Sequence, residues 1–246
     1  MTCCVLIPVY NHEHAIGAVV QAVLGHGMHC ILVDDGSADS CARVLDALAA
    51  AAPQQMTLVR HAHNQGKGGA VISGLRRAAQ DGFSHALQID ADGQHKVADM
   101  PKFLALSARH PEAVISGCPQ YDASVPALRL YARYLTHVWV WINTLSLDIR
   151  DSMCGFRLYP LAPVMALLAR QSLGQRMNFD TDIIVRLHWA GVPVLNLPTP
   201  VGYPADGVSH FRAFRDNVLI SRMHTTHFFG MLLRLPILLE RKWRQR

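Results

Sequence analysis

Paired cysteine motifs are absent from the sequence. Its six cysteines stand at positions 3, 4, 30, 41, 118 and 154, with no repeating interval and no CxxC pair. Structural zinc sites and dithiol redox motifs usually depend on such pairs, so we expect neither kind of site. Reduced thiols in a structural role are the simpler interpretation.

Long apolar runs and a targeting leader are missing as well. A transmembrane helix needs roughly 18 or more consecutive apolar residues. The longest candidate, within 227–246, is interrupted by Arg234 and Pro236. The first residues, MTCCVLIPVY, carry no basic leader and lead directly into a strand pattern. We therefore expect a cytoplasmic protein without a spanning helix.

Charge is unevenly distributed along the chain. Residues 1–125 contain 8 Lys and Arg against 11 Asp and Glu, a net charge of −3, whereas residues 126–246 contain 15 against 7, a net charge of +8. The basic half is therefore expected to meet something acidic, such as a phosphate or a membrane surface. Because no nucleic-acid-binding motif is recognisable, we expect no nucleic-acid partner.

Strand and helix patterns alternate over short loops through most of the 246 residues. This alternation predicts an α/β fold with a doubly wound, mainly parallel sheet flanked by helices. Strand patterns cover 4–10, 30–37, 56–61, 85–90, 113–117 and 192–198. Helix patterns cover 15–24, 39–52, 70–80, 128–147, 162–170 and 180–190.

Acidic residues end two of the predicted strands. Asp34 and Asp35 end the second strand, and Asp90 and Asp92 end the fourth, in the stretch LQIDADGQH. Ligands of parallel sheets bind outside the carboxyl ends of the strands, so these acids are expected to face one crevice. Asp90, Asp92 and Gln94 offer the oxygen ligands that Mg²⁺ and Mn²⁺ favour. Taken alone, the same stretch also fits a solvated turn.

Five motifs in a fixed order resemble one family. They are PVYN (8–11), VDDGS (33–37), NQGKGGA (64–70), DADGQH (90–95) and DSMCGFR (151–157). Together they are similar to glycosyltransferase family 2, in its polyprenyl-phosphate (dolichyl-phosphate) mannose or glucose synthase branch, over roughly residues 3–200. The resemblance implies a GT-A fold, a UDP- or GDP-sugar donor, a divalent metal (Mg²⁺ or Mn²⁺) and inversion at the anomeric carbon of a transferred hexose.

The resemblance also implies roles for individual residues. The nucleotide-sugar site would comprise Pro8, Tyr10, Asn11, Asp34, Asp35, Gly66, Lys67, Asp90 and Arg212. The metal ligands would be Asp90, Asp92 and Gln94. The catalytic and acceptor-side residues would be Asp92, Asp182, Arg133 and Arg157.

The chemical class of the acceptor stays open at this point. A lipid phosphate is already anionic and needs basic side chains, for which the resemblance offers Arg133 with Thr136. An alcohol needs a carboxylate base, for which NFDTD offers Asp180 and Asp182, and Asp182 matches the family position. The segment ISGCPQY lacks the arginine that the synthase branch usually has there. A lipid-linked acceptor is our expectation; the alternatives are a soluble or polysaccharide hydroxyl, or a non-catalytic nucleotide-binding subunit.

We divide the chain into a GT-A domain and a C-terminal segment. Residues 1–204 form the domain, with a nucleotide-sugar half at about 1–118 and an acceptor half at about 119–204. Residues 205–246 would hold a flexible basic loop and an amphipathic helix, and the stretch PADGVSHFRAFRDN (204–217) resembles a donor-closing loop. The closing RKWRQR favours a helix lying on the anionic inner face of the cell membrane. A helix docked on the body is the alternative, and the oligomeric state stays open.

Overall fold

The computed structural model describes residues 1–120, 127–200 and 212–244. This part of the chain contains seven strands and eight α-helices. The strands are β1 (Cys3–Val9), β2 (His29–Asp34), β3 (Met56–Arg60), β4 (His85–Gln88), β5 (Val114–Gln120), β6 (Arg157–Pro160) and β7 (Val194–Pro200). The helices are α1 (Ile16–Gly25), α2 (Asp39–Ala51), α3 (Lys67–Gln80), α4 (Met100–Arg109), α5 (Ala127–Thr144), α6 (Leu161–Arg170), α7 (Phe179–Trp189) and α8 (Ala213–Arg244).

All seven strands form one sheet in the order β3-β2-β1-β4-β6-β5-β7. Every pairing is parallel except those of β6, which runs antiparallel to both β4 and β5. The predicted doubly wound, mainly parallel sheet with flanking helices is confirmed. The chain passes from β1 outward to β3 and then returns to place β4 on the other side of β1. The carboxyl ends of β1, β2 and β4 therefore lie side by side at a topological switch point, where such sheets bind ligands.

The strands are apolar on both faces because helices cover the sheet on both sides. Val5 and Ile7 of β1 belong to one buried cluster, which includes residues of α1 and α4, whereas Leu6 belongs to a second cluster, with α3, α6 and α7. All six cysteines are free, and burial raises the pKa of Cys30 to about 12. The expectation of reduced structural thiols agrees with this arrangement.

Four elements differ from the sequence-based prediction. The strand β6 and the helix α4 were not predicted as elements: β6 has four residues and runs antiparallel, so it lacks the strand–helix–strand signature. The helix α3 begins at Lys67 rather than at residue 70, because two glycines inside its first turn weaken the helical pattern. Residues 213–217, expected to belong to the flexible loop, form the first turns of α8, which continues through Pro236.

The long helix α8 packs on α5 and α7. Met231 and Leu238 of α8 lie in a third buried cluster with Val140 of α5 and Ile184 of α7. The Arg241 guanidinium donates hydrogen bonds to the carbonyls of the last residues of α7, where a cation is favoured by the helix dipole. Within the described ranges, none of the helices combines the length and the apolarity that crossing a bilayer requires.

Candidate active site

The loops that follow β1 and β2 are tied to each other. The Asn11 side-chain oxygen accepts a hydrogen bond from the Ala38 N–H at 2.8 Å, and the Asn11 N–H donates to Ser37 Oγ at 3.1 Å. Asn11 has a φ of +54°, in the left-handed region that asparagine tolerates better than most residues. Pro8 and Tyr10 flank this turn, so the structure brings three of the expected nucleotide-site residues to one strand end.

Asp34 and Asp35 hold neighbouring backbone in place. Asp34 accepts a hydrogen bond from the Ser37 N–H and pairs with Arg60 at 2.7 Å. Asp35 accepts the N–H groups of Gln65 and Gly66, each at 2.8 Å, and His61 Nδ1 lies 2.8 Å from the same carboxylate. Both acids are almost fully buried. They therefore hold the loops that line the crevice.

The glycine-rich loop before α3 is fixed on two sides. Asp35 holds it from the sheet, and the Gly69 N–H donates to the Gln175 carbonyl at 2.9 Å. Gly66 has a φ of +96°, and a Cβ there would lie 2.6 Å from the Gln175 carbonyl oxygen. Glycine is therefore required at this position, and the loop delivers Lys67 to the first turn of α3.

Lys67 joins two carboxylates at the centre of the crevice. Its Nζ lies 2.9 Å from Asp90 Oδ2 and 2.8 Å from Asp180 Oδ2. Burial alone would lower the pKa of Lys67, but the charges of Asp180 and Asp90 outweigh it and raise that pKa above its usual value. Burial would conversely raise the pKa of Asp90, but Lys67 and His95 lower it. Lys67 and Asp90 are therefore both charged at neutral pH.

The residues expected to bind the metal offer free oxygens. Asp90 Oδ1 is buried and accepts no hydrogen bond from any described residue. Asp92 is half-buried, accepts the Gln94 N–H at 3.0 Å, and forms no ion pair in the described part of the chain. No cluster of three or more His, Cys, Asp or Glu suited to a metal occurs among the described residues. This donor set fits Mg²⁺ or Mn²⁺, which commonly take one or two carboxylates and complete their shell with substrate phosphates.

The segment that precedes β6 closes over Asp90. A Cβ at Gly155 would lie 2.2 Å from Asp90 Oδ2, so this position requires glycine for the close approach. Arg157, two residues later, is fully buried. Its guanidinium donates to the carbonyls of Asp180 and Ser152 and to Ser116 Oγ. Arg157 thus positions the backbone around the site, and its contacts are with protein.

Arg133 of α5 is held by a buried carboxylate. Its Nε and Nη2 donate to the two oxygens of Asp151, each at 2.7 Å. His137 Nε2 lies 3.4 Å from the same carboxylate. Asp151 also accepts the N–H groups of Met153 and Cys154, which links α5 to the segment that covers Asp90. Arg133 therefore has a fixed orientation, and its partner Asp151 binds the segment that covers Asp90.

The contacts of Asp182 lie away from the ion pairs that Lys67 forms at the centre of the crevice. Its Oδ1 accepts from Arg186 and lies 2.7 Å from His227 Nε2 of α8, and its Oδ2 accepts the Gly174 N–H. Burial alone would raise the pKa of Asp182, but the hydrogen bond with His227 and the charge of Arg186 lower it. Of the two acids in NFDTD, Asp180 is the one that contacts Lys67.

The expected donor-closing loop is described only at its end. Arg212 is exposed and precedes α8, where its N–H donates to the Asp216 carboxylate at 2.7 Å. It forms no ion pair with a site residue in the described ranges. The remainder of that loop, 205–211, and the boundary placed at residue 204 lie outside the described residues.

Sequence comparison identifies the family. A family model described as "Glycosyl transferase family 2" matches residues 4–176, more than half of the chain. The chain belongs to glycosyltransferase family 2. The enzyme class expected from the motifs is therefore confirmed: the protein is a glycosyltransferase.

The named relatives of this glycosyltransferase include enzymes of the predicted branch. An uncharacterised protein of Methanocaldococcus jannaschii is 28% identical over 83% of this chain and 90% of its own length. Polyprenol monophosphomannose synthase of Mycolicibacterium smegmatis is 27% identical over 63% of this chain and 60% of its own length. Dolichyl-phosphate beta-glucosyltransferase of Dictyostelium discoideum is 24% identical over 77% of this chain and 63% of its own length. The branch prediction is confirmed, although the chain spans less than two thirds of these two lipid-phosphate transferases.

Solved structures show the fold of the glycosyltransferase. Glucosyl-3-phosphoglycerate synthase from Mycobacterium tuberculosis, in complex with Mn²⁺, UDP-glucose and phosphoglyceric acid, has a TM-score of 0.67 at 13% identity, covering 94% of this chain and 79% of that chain. A mannosyltransferase from Pyrobaculum calidifontis, in complex with GDP-Man and Mn²⁺, has a TM-score of 0.60 at 14% identity. The match covers 94% of this chain and 64% of that chain. The expected GT-A fold is confirmed.

Several residues that shape the site were not singled out from the sequence. Gln88 is buried in β4 and donates to Asp180 at 3.2 Å, and Asp151 orients Arg133. A polar residue within the apolar run HALQ was the available signal for Gln88. Nothing in the sequence pairs His61 with Asp35, or His227 with Asp182, because these contacts join residues far apart in the chain.

The Asp182 contacts predict a structural role that depends on pH. Removing one partner of a buried ion pair costs about 3–5 kcal/mol, so we expect Asp182→Asn to lower the free energy of unfolding by about that amount at neutral pH. Because the folded-state pKa of Asp182 is lowered, the stabilisation is present above the unfolded pKa of about 4 and is lost as pH falls through the folded pKa. Urea unfolding of the variant should therefore show a flatter dependence on pH below about 5.

The matched control is Asp148→Asn, which removes an exposed carboxylate that pairs with His188 at 3.2 Å. Exposed pairs contribute about 0–1 kcal/mol, so this variant should unfold close to the parent. Equal stability of the two variants would show that Asp182 does not anchor α8.

Proposed function

We propose that this protein is an inverting, Mg²⁺- or Mn²⁺-dependent enzyme that transfers a hexose from a UDP- or GDP-sugar to a lipid-linked acceptor. One observation carries the proposal. Asp90 and Asp92 stand at the carboxyl end of β4, at the switch point of the sheet, and Asp90 Oδ1 is a buried carboxylate oxygen without a partner among the described residues. Asp90 could share a divalent cation with the donor diphosphate, and that cation would be the partner this oxygen lacks.

The chain's own residues account for the binding and orientation of the donor. Breaking the bond between sugar and phosphate builds negative charge on the leaving nucleoside diphosphate, and a bound divalent cation stabilises that charge. The nucleoside would lie between the turn at Asn11 and the loop at Gly66. Asp35 fixes the loop at Gly66 through its backbone N–H. Asp92 would hold the cation, and Lys67 would lie beside the diphosphate. Attack from the opposite face of the sugar would invert the anomeric carbon.

A lipid phosphate is the acceptor that the charge distribution favours. Residues 126–246 carry a net charge of +8, and Asp151, which binds the segment covering Asp90, also fixes the orientation of Arg133. Relatives of this chain are named for polyprenol phosphate, undecaprenyl phosphate and dolichyl phosphate. A phosphate acceptor is already anionic, so the reaction needs no general base. Arg157 would act by positioning the backbone around the site, and Asp182 would act by anchoring α8.

A hydroxyl acceptor is the alternative, and the position of Asp180 supports it. Its carboxylate lies at the centre of the crevice and is held by Lys67 and Gln88. An alcohol acceptor would need a base at that place. The lipid phosphate remains the better candidate because the Asp180 carboxylate is already occupied by its ion pair with Lys67.

We further propose that α5 and α8 lie against an anionic membrane surface. Among the described residues, every exposed large apolar side chain except Met1 and Leu147 belongs to one of these two helices. Leu233 and Trp243 of α8 are 84% and 81% exposed. The helix α8 also carries six Arg and Lys against two Asp and Glu. Apolar side chains combined with an excess of cations are typical of helices on anionic bilayers.

Donor binding is tested by thermal unfolding with nucleotides. A ligand that binds only the folded state raises its stability, so we expect UDP or GDP with Mn²⁺ to raise the Tm, and chelation of Mn²⁺ to remove the effect. Asp92→Asn should abolish the shift and the transferase activity. It should leave the Tm of the free protein within about 2 °C of the parent, because Asp92 is half-buried and forms no ion pair with a described residue. Full protection and turnover by Asp92→Asn at saturating Mn²⁺ would refute the metal–diphosphate assignment.

Membrane association is tested by co-sedimentation with vesicles. The full chain should sediment with phosphatidylglycerol-containing vesicles and remain in solution with neutral ones. Leu233→Ser should weaken this binding several-fold, since burial of apolar surface contributes about 25 cal/mol per Å². Leu147→Ser, at a residue that is 70% exposed outside both helices, is the matched control. Equal loss in both variants, or self-association without vesicle binding, would count against a membrane face.

A further inference from the structure

Lys67 lies where its charge competes with an incoming cation. Its Nζ is 2.9 Å from Asp90 Oδ2, and Asp90 is one of the two carboxylates proposed to hold the metal. The side chain of Lys67 is 19% exposed, and that of Asp90 is 22% exposed. At such burial, charges that lie close together interact far more strongly than they would in water.

The position of Lys67 is fixed by its surroundings. The backbone before it is held by Asp35, and the backbone after it is held by the Gln175 carbonyl. Its second partner, Asp180, is 7% exposed at the side chain and accepts a hydrogen bond from Gln88. Lys67 is therefore built into the crevice and cannot be regarded as a surface side chain that happens to contact an acid.

The Lys67 ammonium weakens the attraction of these carboxylates for a divalent ion that arrives alone. Two carboxylates and one ammonium give the Asp90–Lys67–Asp180 group a net charge of −1, and His95 Nε2 lies 3.6 Å from Asp90. A divalent cation bound at Asp90 would lie next to the ammonium, which repels it. A nucleoside diphosphate brings two or more negative charges to the same place and removes this repulsion.

We propose that Lys67 is an internal counter-cation that makes metal binding conditional on the nucleotide. Before the donor binds, Lys67 neutralises the charge of Asp90. When Asp90 binds the metal, Lys67 stays paired with Asp180. Asp180 is then a positioning residue, because it retains the ammonium near the diphosphate. This inference rests on the proposed donor site and adds an order of binding to it.

Mn²⁺ binding to the full chain without nucleotide tests the proposal. The free Mn²⁺ signal in electron paramagnetic resonance gives the affinity directly, independent of turnover. We expect Lys67→Met to bind Mn²⁺ alone about tenfold more tightly than the parent, within the usual range of coupling between sites. Lys67→Arg should stay near the parent because the charge is kept. Unchanged or weaker Mn²⁺ binding by Lys67→Met would overturn the proposal.

Two further variants make the result specific. Lys102→Met removes an exposed lysine that pairs with Asp99, and it should leave Mn²⁺ binding unchanged. Asp180→Asn leaves Asp90 as the only carboxylate for Lys67, so Mn²⁺ alone should bind about threefold or more weakly than to the parent. If Lys67→Met does not fold, as judged by near-UV circular dichroism, Asp180→Asn decides, and unchanged affinity in that variant would overturn the proposal.

The same titration with nucleotide separates this proposal from the donor assignment. We expect UDP or GDP to tighten Mn²⁺ binding by the parent much more than by Lys67→Met, because the variant lacks the ammonium that the diphosphate offsets. If neither nucleotide tightens Mn²⁺ binding by the parent, the donor assignment fails. The comparison of the parent with Lys67→Met in the absence of nucleotide still tests the role of Lys67 in that case.

Discussion

The ion pairs of Lys67 with Asp90 and Asp180 connect the parts of the molecule on which the site depends. They join the end of β4, the start of α3 and the start of α7 at one point. Each partner is fixed by its own neighbours: Asp35 holds the glycine-rich loop, Gln88 holds Asp180, and Gly155 allows its segment to approach Asp90. A substitution at any of these positions would therefore move the others.

Six of the acidic residues in and around the crevice divide into two groups by their contacts. Asp34, Asp35, Asp151 and Asp182 are buried and satisfied by arginines, histidines or backbone N–H groups. Asp90 and Asp92 keep oxygens that described residues do not use. This division separates carboxylates that build the site from carboxylates that would bind a ligand, and it agrees with a donor held by its diphosphate.

The sequence predicted the fold and the crevice better than it predicted the individual roles. The strand–helix alternation determines a parallel sheet, and the parallel sheet brings Asp34 and Asp90 to one edge. The pairing of Arg133 with Asp151, and of Asp182 with His227, depends on how α5, α7 and α8 pack, and that information is spread along the chain. Asp180 and Asp182 are two residues apart on a helix, so they point in different directions, and sequence alone did not decide which one reaches Lys67. The antiparallel β6 was missed for a similar reason, because its partners are distant in sequence.

The most direct test of the account is the structure of the reaction product. The purified full chain, Mn²⁺ and α-linked UDP- or GDP-hexoses would be incubated with polyprenyl phosphate or with polyprenol of the same length, and the anomeric configuration of the lipid product would be determined by NMR. Inverting transfer to a lipid phosphate would give a β-linked hexose on the phosphate and no product on the polyprenol. An α-linked product, or transfer to the alcohol alone, would contradict it.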